Sequence, residues 1–262
     1  MGIRQGFVVN DHVDLETAVH FAADRGFDFL ELDMEFAFPH REVDPAVVRR
    51  TAAEHGVDLV VHLPHRLDVA SPHEHVRTGA CRELEGAIDA AIEFGADTGV
   101  YHAATFAHPE ASDDAVLREQ LRKSVRRLTE YASDRDFAAC VENLKEPFFD
   151  AGDFPTLFEE TEAPACLDTG HAYVSGYDAV AQAALLRDHP DRIAHLHLND
   201  TRTTADDEHL PVGLGQFDFE PVAEALAEND RDVTCTHEVY GFDLSYCDHG
   251  KQEFDRLLER AR

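Results

Sequence analysis

Lysine is almost missing from this sequence: Lys123, Lys145 and Lys251 are the only three among 262 residues. With arginine included the cations number 23, against 53 aspartates and glutamates, for a formal charge of −30. A nucleic-acid binder usually presents a basic stripe, and none is visible here. The balance excludes little beyond that, because it also matches a protein from a salt-rich cytoplasm, whose dense carboxylates keep the surface hydrated. At molar salt the counterion release that drives phosphate binding is largely suppressed in any case.

A C-x-x-C pair is missing too. The five cysteines, Cys81, Cys140, Cys166, Cys235 and Cys247, are odd in number, so at least one stands outside any intramolecular disulfide, and reduced thiols are expected. No apolar run approaches the roughly 20 residues of a membrane span. The opening MGIRQGFVVNDHVD lacks the basic region and apolar stretch of a secretory signal. A cytoplasmic protein with no membrane partner is the expectation. No linker or low-complexity segment interrupts the chain, so residues 1–262 read as one domain.

What is present is alternation: short apolar runs separated by amphipathic stretches from end to end. The strand candidates are IRQGFVV near residue 3, FDFLELDM from Phe27, VDLVVHLP from Val57, TGVYHAAT from Thr98, FAACVEN from Phe137, APACLDT from Ala163, IAHLHLND from Ile193 and DVTCTHEV from Asp232. Helical patterns lie between them, with Val76, Ala80, Leu84, Ala87, Ile88 and Ala91 on one face of the third. Eight βα units in about 250 residues predict a closed (β/α)8 TIM barrel, where a doubly wound sheet would have five or six strands. Alternate strand residues then point to the lumen: Phe29, Glu31 and Asp33 inward, Leu30, Leu32 and Met34 toward the helices. The same parity puts Cys140 one layer beneath Glu142, and Cys166 beneath Asp168, as small lumen fillers.

Most strands finish on a lumen-facing acid/base side chain: Glu31 and Asp33, His62, His102, Glu142, Asp168, His197 and Glu238. In a barrel these ends share the C-terminal face, where barrel enzymes keep their active sites. Singly, each has a plain explanation as a hydrogen-bonded core residue or a helix cap. Together, the carboxylates would repel one another unless a cation or proton sits among them. Imidazoles interleaved with carboxylates provide donors that Zn²⁺, Mn²⁺ or Co²⁺ accept. His171 follows Asp168 by three residues through Gly170, which permits a tight turn back over the rim. After the seventh strand Asp207 and His209 lie in a long loop with Gly213 and Gly215. Arg202 there suits a substrate phosphate or carboxylate, or else a surface ion pair. His195, one layer below His197, reads as support for it or as packing.

The segments VENL (141–144), CLDTGHAYVSGYD (166–178), HLHLND (195–200) and HLPVGLGQFDF (209–219), with Glu238, resemble the xylose-isomerase-like TIM-barrel superfamily. It contains the sugar phosphate isomerases and epimerases and also endonuclease IV, the abasic-site DNA repair enzyme. The epimerase branch implies one divalent ion on Glu142, Asp168, His197 and Glu238, with His171 and, more loosely, Arg202 contacting substrate. The endonuclease IV branch implies three zinc ions on the same four residues plus His62, His102, His171, Asp207 and His209. Departures separate the branches. The repair enzymes follow the strand-three histidine with an aromatic and apolar wedge, where this chain has His65 and Arg66. Their H-P-G is HAA here (102–104), and the loops EFAFPHREVD and HRLDVASPHEH hold few cations.

The first expectation is therefore a metal-dependent sugar or sugar-phosphate isomerase or epimerase. The metal polarises a carbonyl, Glu142 and Glu238 act as base and acid through an enediolate, and Glu31 binds a remote hydroxyl. The alternative is an abasic-site endonuclease with a multinuclear zinc site, for which DNA is the partner.

Overall fold

The computed structural model describes residues 2–10, 13–108, 112–145, 148–228, 232–241 and 243–262. Eight parallel strands close into a barrel in chain order: β1 (Ile3–Val9), β2 (Phe29–Asp33), β3 (Asp58–His62), β4 (Thr98–His102), β5 (Ala138–Glu142), β6 (Ala165–Asp168), β7 (Ile193–Leu198) and β8 (Val233–His237). Each strand lies inside the apolar run expected for it. The helices α1 (Leu15–Arg25), α2 (Pro45–His55), α3 (Glu74–Phe94), α4 (Asp114–Ser133), α5 (Phe154–Glu160), α6 (Thr169–Val174), α7 (Ala179–Asp188), α8 (Glu220–Glu228) and α9 (Ser245–Ala261) alternate with them. Some of the acid surplus is structural, since Asp14, Asp44, Asp113 and Asp178 each cap a helix by accepting a first-turn N–H. None of the helices among the described residues is long and apolar enough to cross a membrane.

The expected face of α3 is buried except at Val76, which is 50 % exposed. In that first turn Arg77 takes the inward position instead, donating to Ser124 Oγ at 3.2 Å while Glu74, 2.8 Å away, neutralises its charge. Leu30, Leu32 and Met34 join the outer core against the helices, whereas Val100, Cys140 and Cys166 form a separate inner cluster. Phe29 crosses the lumen beside Gly6, where a Cβ would lie 2.4 Å from its ring. The five cysteines are buried and form no disulfide.

One irregularity positions the site. Ala165 pairs with Ile193 but Cys166 pairs with His195, so β7 carries an extra residue. Ile193 therefore belongs to the outer core while Ala194 packs on the inner cluster. This bulge re-aims His195 and His197 into the lumen beside Cys166 and Asp168.

Candidate metal centre

His197, at the end of β7, has no exposed surface. Its Nε2 lies 3.0 Å from Glu31 Oε1, and its Nδ1 faces Glu142 Oε1 at 3.1 Å, Glu238 Oε2 at 3.4 Å and Asp168 Oδ2 at 3.8 Å. With Nε2–H donating to Glu31, the Nδ1 lone pair points among three carboxylates and must be met by a proton or a cation. Burial opposes charge on this imidazole, but the carboxylates of Glu31, Glu142 and Glu238 override it and raise its pKa well above the ordinary value.

Two further groups flank this one. Glu142 turns its other oxygen, Oε2, to His102 Nε2 at 3.1 Å and His62 Nε2 at 3.4 Å. On the opposite side Asp207 Oδ2 lies 3.3 Å from His171 Nε2 and 3.1 Å from His209 Nδ1, and His209 Nε2 reaches to 3.4 Å from Glu238 Oε2. Donor atoms of Glu142, Asp168, His197 and Glu238 all lie within 4.8 Å of one another, as do those of His62, His102 and Glu142, and those of Asp168, His171 and His209. Yet Glu142 Oε2, Glu238 Oε2 and Asp207 Oδ2 are buried without a hydrogen bond among the described residues, because the neighbouring nitrogens are not aligned with them. These three oxygens lie at different places in the cluster, Glu142 Oε2 beside His62 and His102, Glu238 Oε2 between His197 and His209, and Asp207 Oδ2 between His171 and His209. Such atoms are costly in a folded protein, and imidazole with carboxylate is a donor set for divalent transition ions. The residues fit metal.

Backbone carbonyls set the tautomers. Leu63 O and Asn143 O accept from Nδ1 of His62 and His171 at 3.0 and 3.1 Å, which leaves each Nε2 for the centre. Burial opposes protonation of His62, but Glu142 overcomes it and raises the pKa to about 9. At His209 burial is likewise outweighed, by Glu238 and Asp207, and the pKa rises to about 9. Asp168 is pushed up to about 7 by burial, with the carboxylates of Asp207, Glu238 and Glu142 prevailing over the pull of His171. Burial also penalises ionised Glu142 and Glu238, but His197 with His102 or His209 holds both well below the usual range.

The structure brings together Glu142, Asp168, His197, Glu238, His62, His102, His171, Asp207 and His209. Two other expected residues lie elsewhere. Glu31 has 0 % exposure and cannot meet a substrate hydroxyl; its oxygens face His197, Thr236 and His195, the last at 3.1 Å. It orients His197 from beneath. Arg202 is the surface pair of the alternative reading, its side chain 68 % exposed and bound to Glu208. Gly170 also has a different role from the tight turn. It sits in the first turn of α6, capped by Asp168, where a Cβ would lie 1.8 Å from Asn199 Oδ1 and 2.8 Å from Asp207 Oδ1.

Residues missed in the sequence hold this arrangement. Asn199 Nδ2 donates to Asp168 Oδ2 at 2.8 Å, and Asn143 exchanges hydrogen bonds with the Asp168 backbone. Asp200 organises the loop after β7 by accepting backbone N–H groups from Thr201, Gly213, Gly215 and Phe217 at 2.8, 3.1, 2.8 and 3.0 Å. The signal was an acid followed by two close glycines, for a Cβ on Gly215 would lie 2.2 Å from Asp200 Oδ1. Asp200→Ala is expected to cost about 3 kcal/mol, since it strands several buried donors. It also releases Asp207 and His209, so urea midpoint and metal content fall together; an unchanged midpoint would contradict this role.

A pocket of about 110 Å³ opens above the centre, walled by His62, His65, His102, His171, His209 and Tyr240. A larger groove of about 470 Å³ beside it, between Pro39, Arg41 and Glu83, holds none of the donors.

The family model described as xylose isomerase-like TIM barrel matches residues 19–261. A protein from Mycobacterium leprae named probable endonuclease 4 is 26 % identical over 240 residues, covering 87 % of this chain and 92 % of its own. Another of that name from Halobacterium salinarum is 26 % identical over 204 residues, 68 % of this chain and 70 % of its own. Among solved structures, a D-tagatose 3-epimerase-like protein superposes with a TM-score of 0.83 at 23 % identity, covering 98 % of both chains. An L-ribulose 3-epimerase superposes at 0.82 and 17 % identity, covering 100 % of this chain and 96 % of that one. These likenesses establish the shared barrel.

Proposed function

This chain belongs to the xylose isomerase-like TIM-barrel family, and we propose that within it the protein is a multinuclear, divalent-metal-dependent hydrolase of a phosphoester carried on a sugar, acting in a salt-rich cytoplasm. The observation that carries this reading is the set of three partnerless oxygens, Glu142 Oε2, Glu238 Oε2 and Asp207 Oδ2, spread across the cluster beside different histidines. A single ion at His197 would leave those of Glu142 and Asp207 unsatisfied. The relatives named endonuclease 4 support the same chemical class.

Divalent ions held by Glu142, Asp168, His197 and Glu238, with the flanking histidines, would supply charge for a phosphoryl oxygen and would lower the pKa of water. Glu142 serves two groups through its two oxygens, while His62 and His171 present Nε2 in a fixed tautomer. In the larger groove beside the pocket the Arg66 guanidinium stacks on Phe36 at 4.8 Å. Among the described residues it has no carboxylate at ion-pair distance, whereas Arg41 and Arg202 are neutralised by Glu83 and Glu208. Arg66 is therefore a cation open to a phosphate that reaches into that groove. With the wedge replaced by His65 and Arg66, and few cations on the loops EFAFPHREVD and HRLDVASPHEH, a small phosphorylated sugar is favoured over duplex DNA.

A second reading, epimerisation of an open-chain sugar or sugar phosphate on one ion, is favoured by the placement of Glu142 and Glu238. Both approach His197 Nδ1, at 3.1 and 3.4 Å, so two carboxylates are at hand to serve as base and acid. Metal analysis after chelator-free purification separates the two. About three zinc per chain, one fewer in His209→Ala, is expected, with cleavage of an aryl phosphodiester or an abasic oligonucleotide in high salt. One manganese or cobalt per chain, retained in His209→Ala, with ketose interconversion and no cleavage, would overturn the hydrolase in favour of the epimerase.

A further inference from the structure

Tyr240 touches two of the donors and has no role in either reading. It follows Glu238 by two residues, is 62 % exposed and forms part of the pocket wall. Its hydroxyl donates to Glu238 Oε1 at 3.1 Å, which leaves only Oε2 facing His197 and His209. Its ring lies flat on the His209 imidazole, centroids 4.0 Å apart and planes 9° from parallel. Its backbone N–H donates to His209 O at 3.2 Å. His209 is one of two non-glycine residues with positive φ among those described, at 47°, a conformation that persists only where its surroundings enforce it.

We propose that Tyr240 is a positioning residue that clamps two metal donors at once, restricting Glu238 to a single presented oxygen and holding the strained His209 with both ring nitrogens in the centre. The assignment follows from where each contact acts. Glu238 Oε1, if released from the phenol, is free to turn toward the cluster and let the carboxylate present two oxygens. His209, once unstacked, keeps its hydrogen-bonding atoms but loses what fixes the ring plane; the edge of His171, 5.9 Å away, is its other ring neighbour. Because the ring is largely exposed, removing it takes little from the core, so metal binding and fold stability are expected to respond separately.

The role of the stack rests on the multinuclear reading; the tie to Glu238 does not. Y240F and Y240A are compared with the parent chain after reconstitution with Co²⁺, by metal count, chelator competition and visible absorption. Y240F keeps the stack and is expected to keep the parent metal count, with a changed cobalt spectrum because Glu238 can present its second oxygen. Y240A is expected to lose one ion per chain and at least tenfold in affinity for those retained, with the chelated protein melting as the parent does. Parent spectra and counts in both variants would overturn the proposal, as would equal metal loss in both, which would signify a structural role. If the parent itself binds one ion, the multinuclear reading fails on its own, and the Y240F spectrum still decides whether Tyr240 restricts Glu238.

Discussion

Glu142→Gln is expected to lower kcat/KM by about four orders of magnitude and to take metal with it, whichever reaction the centre performs. The substitution is nearly isosteric, so packing is preserved. What changes is charge and donor capacity: an amide nitrogen enters between His197 Nδ1, 3.1 Å from one oxygen, and His102 Nε2, 3.1 Å from the other. The central group loses one of its three carboxylates, and the His62–His102 group loses the only one it has. The measurement is turnover beside metal content in the same preparation. A fully active, metal-replete Glu142→Gln protein would sink the hydrolase and the epimerase together.

Removing the metal is expected to make stability fall with pH across a window set by the centre. His62 and His209 have folded pKa values of about 9, above the ordinary histidine value of about 6.5, so the folded metal-free chain binds protons that the unfolded chain releases. Their contribution is complete below about pH 6.5 and is lost as pH rises through about 9. Asp168, raised to about 7, adds a loss of the same sign up to that pH. Below about 6.5 the trend is opposed by His65 and His237, both lowered to about 3 because burial favours their neutral forms. The chelated protein should therefore melt at least about 5 °C lower at pH 9 than at pH 6.5, on a scale of 2–4 °C per kcal/mol for a chain of this size. A metal held by these residues would compete with those protons and bind more tightly as they leave, so the loaded protein should show no such fall. Equal slopes for chelated and loaded protein would refute a proton-for-metal exchange.

The limits of sequence reading fall at particular residues. Strand identity was legible because eight apolar runs of strand length alternate with helical patterns, and parity then turned the six strand-end donors His62, His102, Glu142, Asp168, His197 and Glu238 inward, while His171, Asp207 and His209 were read from loops. Parity does not encode height. Glu31 was correctly turned inward, but it pairs with Val60 while Asp33 pairs with His62, so it sits a layer below the rim, holding a histidine where a substrate contact was expected. The β7 bulge was illegible because IAHLHL reads as ordinary alternation; only the register with β6 reveals the extra residue. The direction of Arg202 and the role of Asp200 were hidden for a different reason. Both lie in a loop whose path is set by hydrogen bonds from backbone N–H groups to the Asp200 carboxylate, up to 17 positions apart, and no periodicity reports those.

The order in which these donors occur along the chain has a consequence for biogenesis. His62, His102, Glu142, Asp168 and His197 precede the Asp200-centred loop, and Glu238 comes last, just beyond β8. β8 is also the strand that shuts the barrel, pairing with β7 on one side and β1 on the other. A nascent chain emerging from the ribosome can thus gather the first histidine pair around Glu142 but cannot complete the central quartet until its final strand is in place. Ion capture by this centre would then coincide with ring closure, so tight metal retention would mark a closed barrel, and a prematurely terminated chain would be left as an open sheet exposed to proteolysis.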